Sequence, residues 1–370
     1  VGSAKGADTA KAATEAATAS KEKLEKHSPA AVIVFFSPKY DPYVVARSVQ
    51  HVFPKTPVIG TTTAGEIFDS PLRESIVVLV LGSPYLKIRV GVGQGVSRNW
   101  KGSLERLLCG ELSPYFDPLE ISLWSRLNRE GTGVFGILFS PGNTKKADSR
   151  SWEILSELRQ RCDGRVLIFG GSSADDWQME KSHVIVGDQA FPDSVALAVF
   201  ETKLKFGMAL AHGFKPSDKM ATVTRSQNHV VHELDHRPAA EVYSQLLDIP
   251  YNELVGKHIT LTSGRPAGLA DPLGQYSIIV ASYFTTDGGV RFSQPVPKGA
   301  ILHIMDADPD ALIHAAQDSL RKAIIRGDMS SPSVALMFSC ALRGRILKER
   351  IHEEIAVIKE AAHDLPVVGF

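Results

Sequence analysis

The sequence predicts an α/β fold, with mixed β-sheets and flanking helices built from repeated strand–helix–strand units in two halves. The first observation behind this is a pattern written three times: an apolar strand ending in Phe-Ser, a helical stretch, then a short strand ending in Gly. The copies run from Ile33 to Gly60, from Ile137 to Gly170 and from Leu336 to Gly369, and carry Phe36-Ser37, Phe139-Ser140 and Phe338-Ser339. Reuse of one supersecondary unit directs equivalent loops toward one place. The second observation is that long amphipathic helices separate short buried strands, as crossover connections require. The third is a set of hairpin-like runs between copies, which make the sheets mixed.

Each element has a local reason. Residues 9–25 are rich in Ala and Lys and predict an amphipathic helix. A strand over 31–37 follows, then a helix over 42–52 with Pro42 in its first turn. Runs 75–81 and 86–92, joined by Gly82-Ser83-Pro84, predict a hairpin. Residues 100–108 are helical and 110–132 irregular. Strands are predicted at 183–186, 195–201 and 205–212, then a hairpin from 222–225 and 229–233, a helix over 238–247, and strands at 277–284 and 300–305. Helices over 309–326 and 346–362 flank the third Phe-Ser strand. The turn-rich segment 213–236 divides the halves, giving modules of 1–225 and 226–370.

Composition narrows the class. A chain of 370 residues exceeds one ordinary core, which predicts two domains or two halves. The 41 basic and 41 acidic residues balance, so there is no broad field for nucleic acid or an anionic membrane surface. No apolar run approaches the ~20 residues of a membrane helix. The start, Val1-Gly2-Ser3-Ala4-Lys5, has neither the basic nor the apolar region of a secretory signal, and the missing Met points to an upstream segment. Cys109, Cys162 and Cys340 are scattered, which fits a reducing cytoplasm and gives no zinc spacing.

Enzyme motifs are weak. Gly131-Thr132-Gly133-Val134-Phe135-Gly136 precedes a strand instead of following one, so it is no dinucleotide fingerprint. There is no phosphate-binding P-loop and no Gly-x-Ser-x-Gly elbow. The expectation is a binding protein, not an enzyme.

Candidate ligand residues sit in two matched loops. Gly60-Thr61-Thr62-Thr63-Ala64-Gly65-Glu66 lies over Gly170-Gly171-Ser172-Ser173-Ala174-Asp175-Asp176, hydroxyl on hydroxyl and carboxylate on carboxylate. Hydroxyls donate and accept at once, and glycines let amides turn toward a ligand. Thr61, Thr62, Thr63, Gly171, Ser172 and Ser173 therefore suit a carboxylate or other small anion, while Glu66, Asp175 or Asp176 suits an ammonium. The structural alternative is that these loops only turn the chain. Arg343 has the chemistry to clamp a carboxylate, or to pair with Glu353 or Glu354. His212 is a candidate iron ligand or a hydrogen-bonded structural residue. His229 and His232 face opposite ways on a strand, so with His236 they form no chelating set. Cys340 reads as a small buried hydrophobe.

The chain resembles the FIST family of intracellular sensory domains. The resemblance rests on Phe36-Ser37, the 60–66 loop, Phe169-Gly170-Gly171-Ser172, His212-Gly213-Phe214-Lys215-Pro216 and Glu233-Leu234-Asp235-His236-Arg237-Pro238-Ala239. It continues through Ser339-Cys340-Ala341-Leu342-Arg343, Glu353-Glu354 and Pro366-Val367-Val368-Gly369-Phe370, covering nearly the whole chain. It implies an N-terminal module over 1–225 and a C-terminal module over 226–370. The family's Gly-Glu loop after the final Gly-Phe is absent, and His236 stands where the family has Gly. The implied function is a cytoplasmic input domain that binds a small ligand, such as an amino acid, and signals to a histidine kinase, a cyclase or another output. One branch implies a haem-based nitric-oxide sensor, with His212 as the iron ligand here. A protein-interaction scaffold without a small ligand is the third reading.

Overall fold

The computed structural model describes residues 1–24, 27–117, 133–145, 147, 149–257, 264–361 and 365–370. Most of the irregular stretch 110–132, with Gly131 and Thr132, and the helix ends at 25 and 362, fall outside the described residues. The chain forms two compact units. One comprises Val1–Met208, Lys322–Ser339 and Lys359–Phe370, the other Ala209–Arg321 and Cys340–Ile358.

In the first unit two sheets pack face to face. The six-stranded sheet runs β1 (Gly2–Ala4), β6 (Ile76–Leu81), β2 (Ala31–Phe36), β3 (Val58–Thr62), β10 (His183–Val186) and β11 (Gln189–Pro192). The four-stranded sheet runs β7 (Leu86–Gln94), β12 (Ser194–Thr202), β8 (Gly133–Ser140) and β9 (Leu167–Ser172). Only β2–β3 and β8–β9 are parallel in these sheets; each belongs to a strand–helix–strand copy. Every residue of β2 is buried, because its two faces meet different layers. Val32, Val34 and Phe36 pack under the helices Thr9–Glu22 and Pro42–Val52, whereas Ile33 and Phe35 enter the core between the sheets. That explains a continuous apolar run where an alternating one would mark a solvated face. Helices Val96–Leu108 and Ser151–Arg161 cover the outer face of the second sheet, completing four layers.

The third copy supplies β21 (Ala335–Met337) and β22 (Val367–Gly369), again parallel. Their small sheet is completed by β4 (Glu66–Phe68) and β5 (Pro71–Leu72), which continue the chain beyond the first copy's loop. Strand register shows how the copies align. Gly60 pairs with Val34, Gly170 with Leu138 and Gly369 with Met337. The repeat's aromatic position is therefore Phe35, Phe139 and Phe338, whose ring centroids lie 6.0, 6.2 and 6.4 Å apart in a near-equilateral triangle. Alignment on Phe36-Ser37 is one residue out of register, since Phe36 is the counterpart of Ser140 and Ser339.

Two further expectations are corrected in this unit. Strands β6 and β7 are not a hairpin: β6 joins β1 and β2, while β7 joins β12 in the other sheet. The 205–212 stretch is not a strand. Gly207 lies against the Ala323 carbonyl and the Gly327 nitrogen, so its backbone is pressed against a helix end instead of a strand.

The second unit is built on one sheet ordered β17 (Tyr276–Ile279), β16 (Ala267–Ala270), β20 (Ile301–Asp306), β13 (Lys215–Gln227), β14 (Val230–Leu234), β19 (Val290–Phe292) and β18 (Ala281–Phe284), with β15 (Arg237–Pro238) on β14. The run predicted as one strand over 277–284 is thus two strands at opposite ends of the path, joined through Val280. The sheet curls until its ends meet, enclosing Val223, Val231, Tyr243, Phe284, Phe292, Leu302 and Ile304. The helix predicted over 346–362 begins at Ile351, because Lys348 at φ 51° separates it from the helix Ala341–Leu347. Among the described residues no helix is long and apolar enough to cross a membrane.

Candidate functional site

The matched loops of the first two copies meet. After the paired strands, the Thr63 N–H donates to the Phe36 carbonyl at 3.0 Å, and the Ser173 N–H donates to the Ser140 carbonyl at 2.8 Å. These are equivalent bonds between equivalent residues. The loops are also joined directly: Thr61 Oγ1 donates to Ser173 Oγ at 2.7 Å, and the Ala174 N–H donates to the Thr62 carbonyl at 2.9 Å. Thr62 Oγ1 accepts the His183 N–H at 3.0 Å, which fastens β10 to the same place. Thr61, Thr62, Thr63 and Ser173 are all buried. Their hydroxyls satisfy one another and the backbone, as buried polar groups must.

The acidic residues close the loops from inside. Buried Glu66 accepts from Thr63 Oγ1 at 2.5 Å, from the Ser75 N–H at 3.0 Å and from Ser75 Oγ at 2.6 Å. Burial raises its pKa above the ordinary carboxylate value, opposed by the bonds from Ser75 and Thr63. Asp175 accepts the N–H groups of Met179, Glu180 and Lys181 at 2.9, 2.6 and 2.9 Å. The counterpart of Glu66 in role is therefore Asp175. Asp176, which matches Glu66 by position, is exposed and 3.5 Å from Arg73.

The open side of the second loop carries a different set. Ser172 is exposed, and its Oγ lies 3.1 Å from Ser140 Oγ and 3.0 Å from Ser151 Oγ. Ser140 and Ser151 are 2.7 Å apart, and Ser151 donates to Ser149 Oγ at 2.9 Å. This ring of three hydroxyls, with Ser149 attached through Ser151, can redirect its protons toward an acceptor or offer lone pairs to a donor. Sequence reasoning named only Ser172. The signal for Ser149 and Ser151 was the Ser149-Arg150-Ser151 run at a helix start, and for Ser140 its place in the Phe139-Ser140 repeat. Gly171 lies under the Phe370 ring, where a Cβ would come within 2.8 Å of a ring carbon. Its small size is used for packing.

Arg343 and His212 lie in the second unit. Arg343 is buried; Nε pairs with Glu354, while Nη1 and Nη2 donate to the His212 and Leu312 carbonyls at 3.0 and 2.7 Å. Each guanidinium nitrogen thus has a protein acceptor. His212 Nδ1 accepts the Phe214 N–H at 3.0 Å. Burial, with the nearby Arg343, holds its pKa below the ordinary histidine value against the raising effect of the Tyr276 backbone. Iron ligation at Nδ1 would displace the Phe214 contact. Among the described residues no group of three or more His, Cys, Asp or Glu is arranged to hold a metal.

Repeated strand–helix–strand units around a shared aromatic core, with paired polar loops beside it, define an α/β module of repeated units. The FIST N domain model matches residues 30–237 and the FIST C domain model matches residues 239–370; the chain belongs to the FIST family. FIST domains are sensory domains of signal transduction. An uncharacterised protein of Methanocaldococcus jannaschii is 29% identical over 199 residues, covering 50% of this chain and 37% of that relative. The match thus spans little more than a third of the relative's length.

Proposed function

We propose that this chain is the input module of a signalling system and binds a small polar ligand, such as an amino acid, at the open side of the paired loops. The observation that carries this is the exposed Ser172 hydroxyl bonded to those of Ser140 and Ser151, with Ser149 bonded to Ser151, beside the loops that the Thr61–Ser173 bond joins. Those hydroxyls can donate to a carboxylate and accept from an ammonium. Thr61, Thr62, Thr63, Glu66, Ser173 and Asp175 keep the loops in shape. Arg343, engaged by Glu354, has a structural role in this reading. The module binds and does not catalyse. It works in the cytoplasm and passes its state to an output partner, such as a histidine kinase or a cyclase. The ligand need only favour one of two arrangements for the signal to follow.

Isothermal titration of the full chain with an amino-acid panel tests this. Saturable heat with one or a few members is expected, and a Ser151→Ala, Ser172→Ala double variant should weaken it by at least about tenfold, the scale of one or two lost hydrogen bonds. No heat from any member, or unchanged affinity in the double variant, would remove the reading.

A further inference from the structure

Strand β7 is an open edge. It pairs with β12 along all nine of its residues, from Leu86 opposite Thr202 to Gln94 opposite Ser194, and among the described residues with no other strand. Among the described residues none bonds to the backbone of residues 87–93 on its other side. The other edge strands are short, at most the six residues of β9. A long, straight edge without proline or bulge is a template for another strand unless charge or cover blocks it.

The side chains of β7 do not block it. Leu86, Ile88, Val90 and Val92 point toward the core between the sheets but stay only partly buried, because the edge leaves them uncovered. On the opposite face Gly91 and Gly93 lie against the helix Val96–Leu108, where a Cβ would come within 2.5 Å of the Leu107 carbonyl and 2.0 Å of the Ser103 carbonyl. The charges on that face are Lys87 and Arg89. Arg89 lies 4.0 Å from Glu201 and 5.8 Å from the Tyr115 ring centre, so its charge is already answered within the chain.

We propose that β7 pairs antiparallel with β7 of a second copy, with the two-fold axis at Val90, to make one continuous sheet across two chains. The residue pattern selects both partner and register. With Val90 on the axis, Lys87 stands opposite Gly93 of the second copy, Arg89 opposite Gly91, Ile88 opposite Val92 and Leu86 opposite Gln94. All nine residues pair, the apolar row continues across the axis, and no like charges stand directly opposite. Moving the axis to Arg89 sets that residue against itself, and moving it to Ile88 sets Lys87 against Arg89. Moving it toward Gln94 shortens the pairing. A strand complementary to itself in this way suits an isologous contact, in which one surface serves both partners.

Light scattering on the full chain over a wide concentration range is the test. The expected mass is that of two chains, and Val90→Lys should raise the dimer dissociation constant at least about tenfold by placing a charge on the axis. Should that variant fail to fold, Val90→Cys in a Cys109→Ser, Cys340→Ser background serves instead, because only the proposed register brings Val90 against its own copy. Mild oxidation should then give a disulfide-linked dimer that reductant dissolves. A monomer at every concentration overturns the proposal. So does a dimer that Val90→Lys leaves intact or that Val90→Cys does not cross-link.

Discussion

Thr61 and Ser173, 112 residues apart in sequence, share a buried hydrogen bond of 2.7 Å between their hydroxyls, and this bond joins the loops of two repeat copies. Thr61→Val leaves the Ser173 hydroxyl buried without this bond, a cost of about 1–3 kcal/mol, and Ser173→Ala leaves Thr61 Oγ1 only the longer contacts to the Thr62 and His183 carbonyls at 3.2 and 3.4 Å. Thr61→Val and Ser173→Ala should each destabilise the protein by that order in chemical denaturation. The double variant should lose less than the sum, with a coupling of about 1 kcal/mol. Additive losses would show that the bond is not formed in solution.

A buried and a half-buried group near these loops respond to pH in opposite directions. Glu66 is raised by burial, so the folded state prefers its protonated form. Its contribution is fully present below the ordinary carboxylate value of 4.5 and is lost as pH rises through the folded value. Glu66→Gln should therefore hold or increase stability near neutral pH, with the gain fading as the pH falls. His183 is pulled down to about 4, chiefly by burial and then by Lys181, against the pull of Asp41. Its contribution is present above the ordinary value of 6.5 and is lost as pH falls toward 4. His183→Gln should flatten the acid limb of a melting-temperature profile. An acid limb unchanged in that variant would rule His183 out as its source.

The repeats were legible because each has a steric signature. A strand that must end in Gly shows in the sequence whenever a carbonyl occupies the place of a Cβ. Register was less legible: Phe35-Phe36-Ser37 offers two phenylalanines, and the Phe-Ser match selects the wrong one, whereas the aromatic triangle selects Phe35. The Thr and Ser loops were found, but a hydroxyl residue carries no mark of which side it faces. Thr62 and Ser172 pair by position, yet Thr62 is buried and Ser172 exposed. Asp175 and Asp176 adjoin, and only the fold distinguishes the carboxylate that binds three amides. Arg343 had two readings from sequence, and the Glu354 partner was one of them.

Arg343 and Glu354 form a buried ion pair, with side-chain exposures of 9% and 2%. Removing the arginine strands the carboxylate, a loss of about 3–5 kcal/mol, whereas replacing both charges with apolar groups of similar volume is often close to neutral. Arg343→Met should therefore be far less stable than the Arg343→Met, Glu354→Leu double variant in denaturant melts. Arg343→Lys should rescue poorly, since one ammonium cannot reproduce bonds to Glu354 and to the His212 and Leu312 carbonyls. Full stability in Arg343→Met would show that the pair is not structural.

Gly60 and Gly170 occupy the same repeat position but are held there by different constraints. A Cβ on Gly60 would lie 2.5 Å from the Val34 carbonyl, and its backbone angle is one that other residues adopt. On Gly170 it would lie 2.0 Å from the Leu138 carbonyl, and φ is 143°, a region that side chains disfavour by about 1–3 kcal/mol. Both neighbours are main-chain oxygens in a parallel pair, so neither can swing aside as a side chain would. Gly60→Ala should destabilise through the clash alone, and Gly170→Ala should lose more, because strain adds to the clash. Urea denaturation of the two variants measures the difference. Equal losses would mean that the backbone at Gly170 relaxes into an ordinary strand. In that case the Ser173 N–H to Ser140 carbonyl bond, which depends on the turn beginning there, should weaken and show faster amide exchange at Ser173.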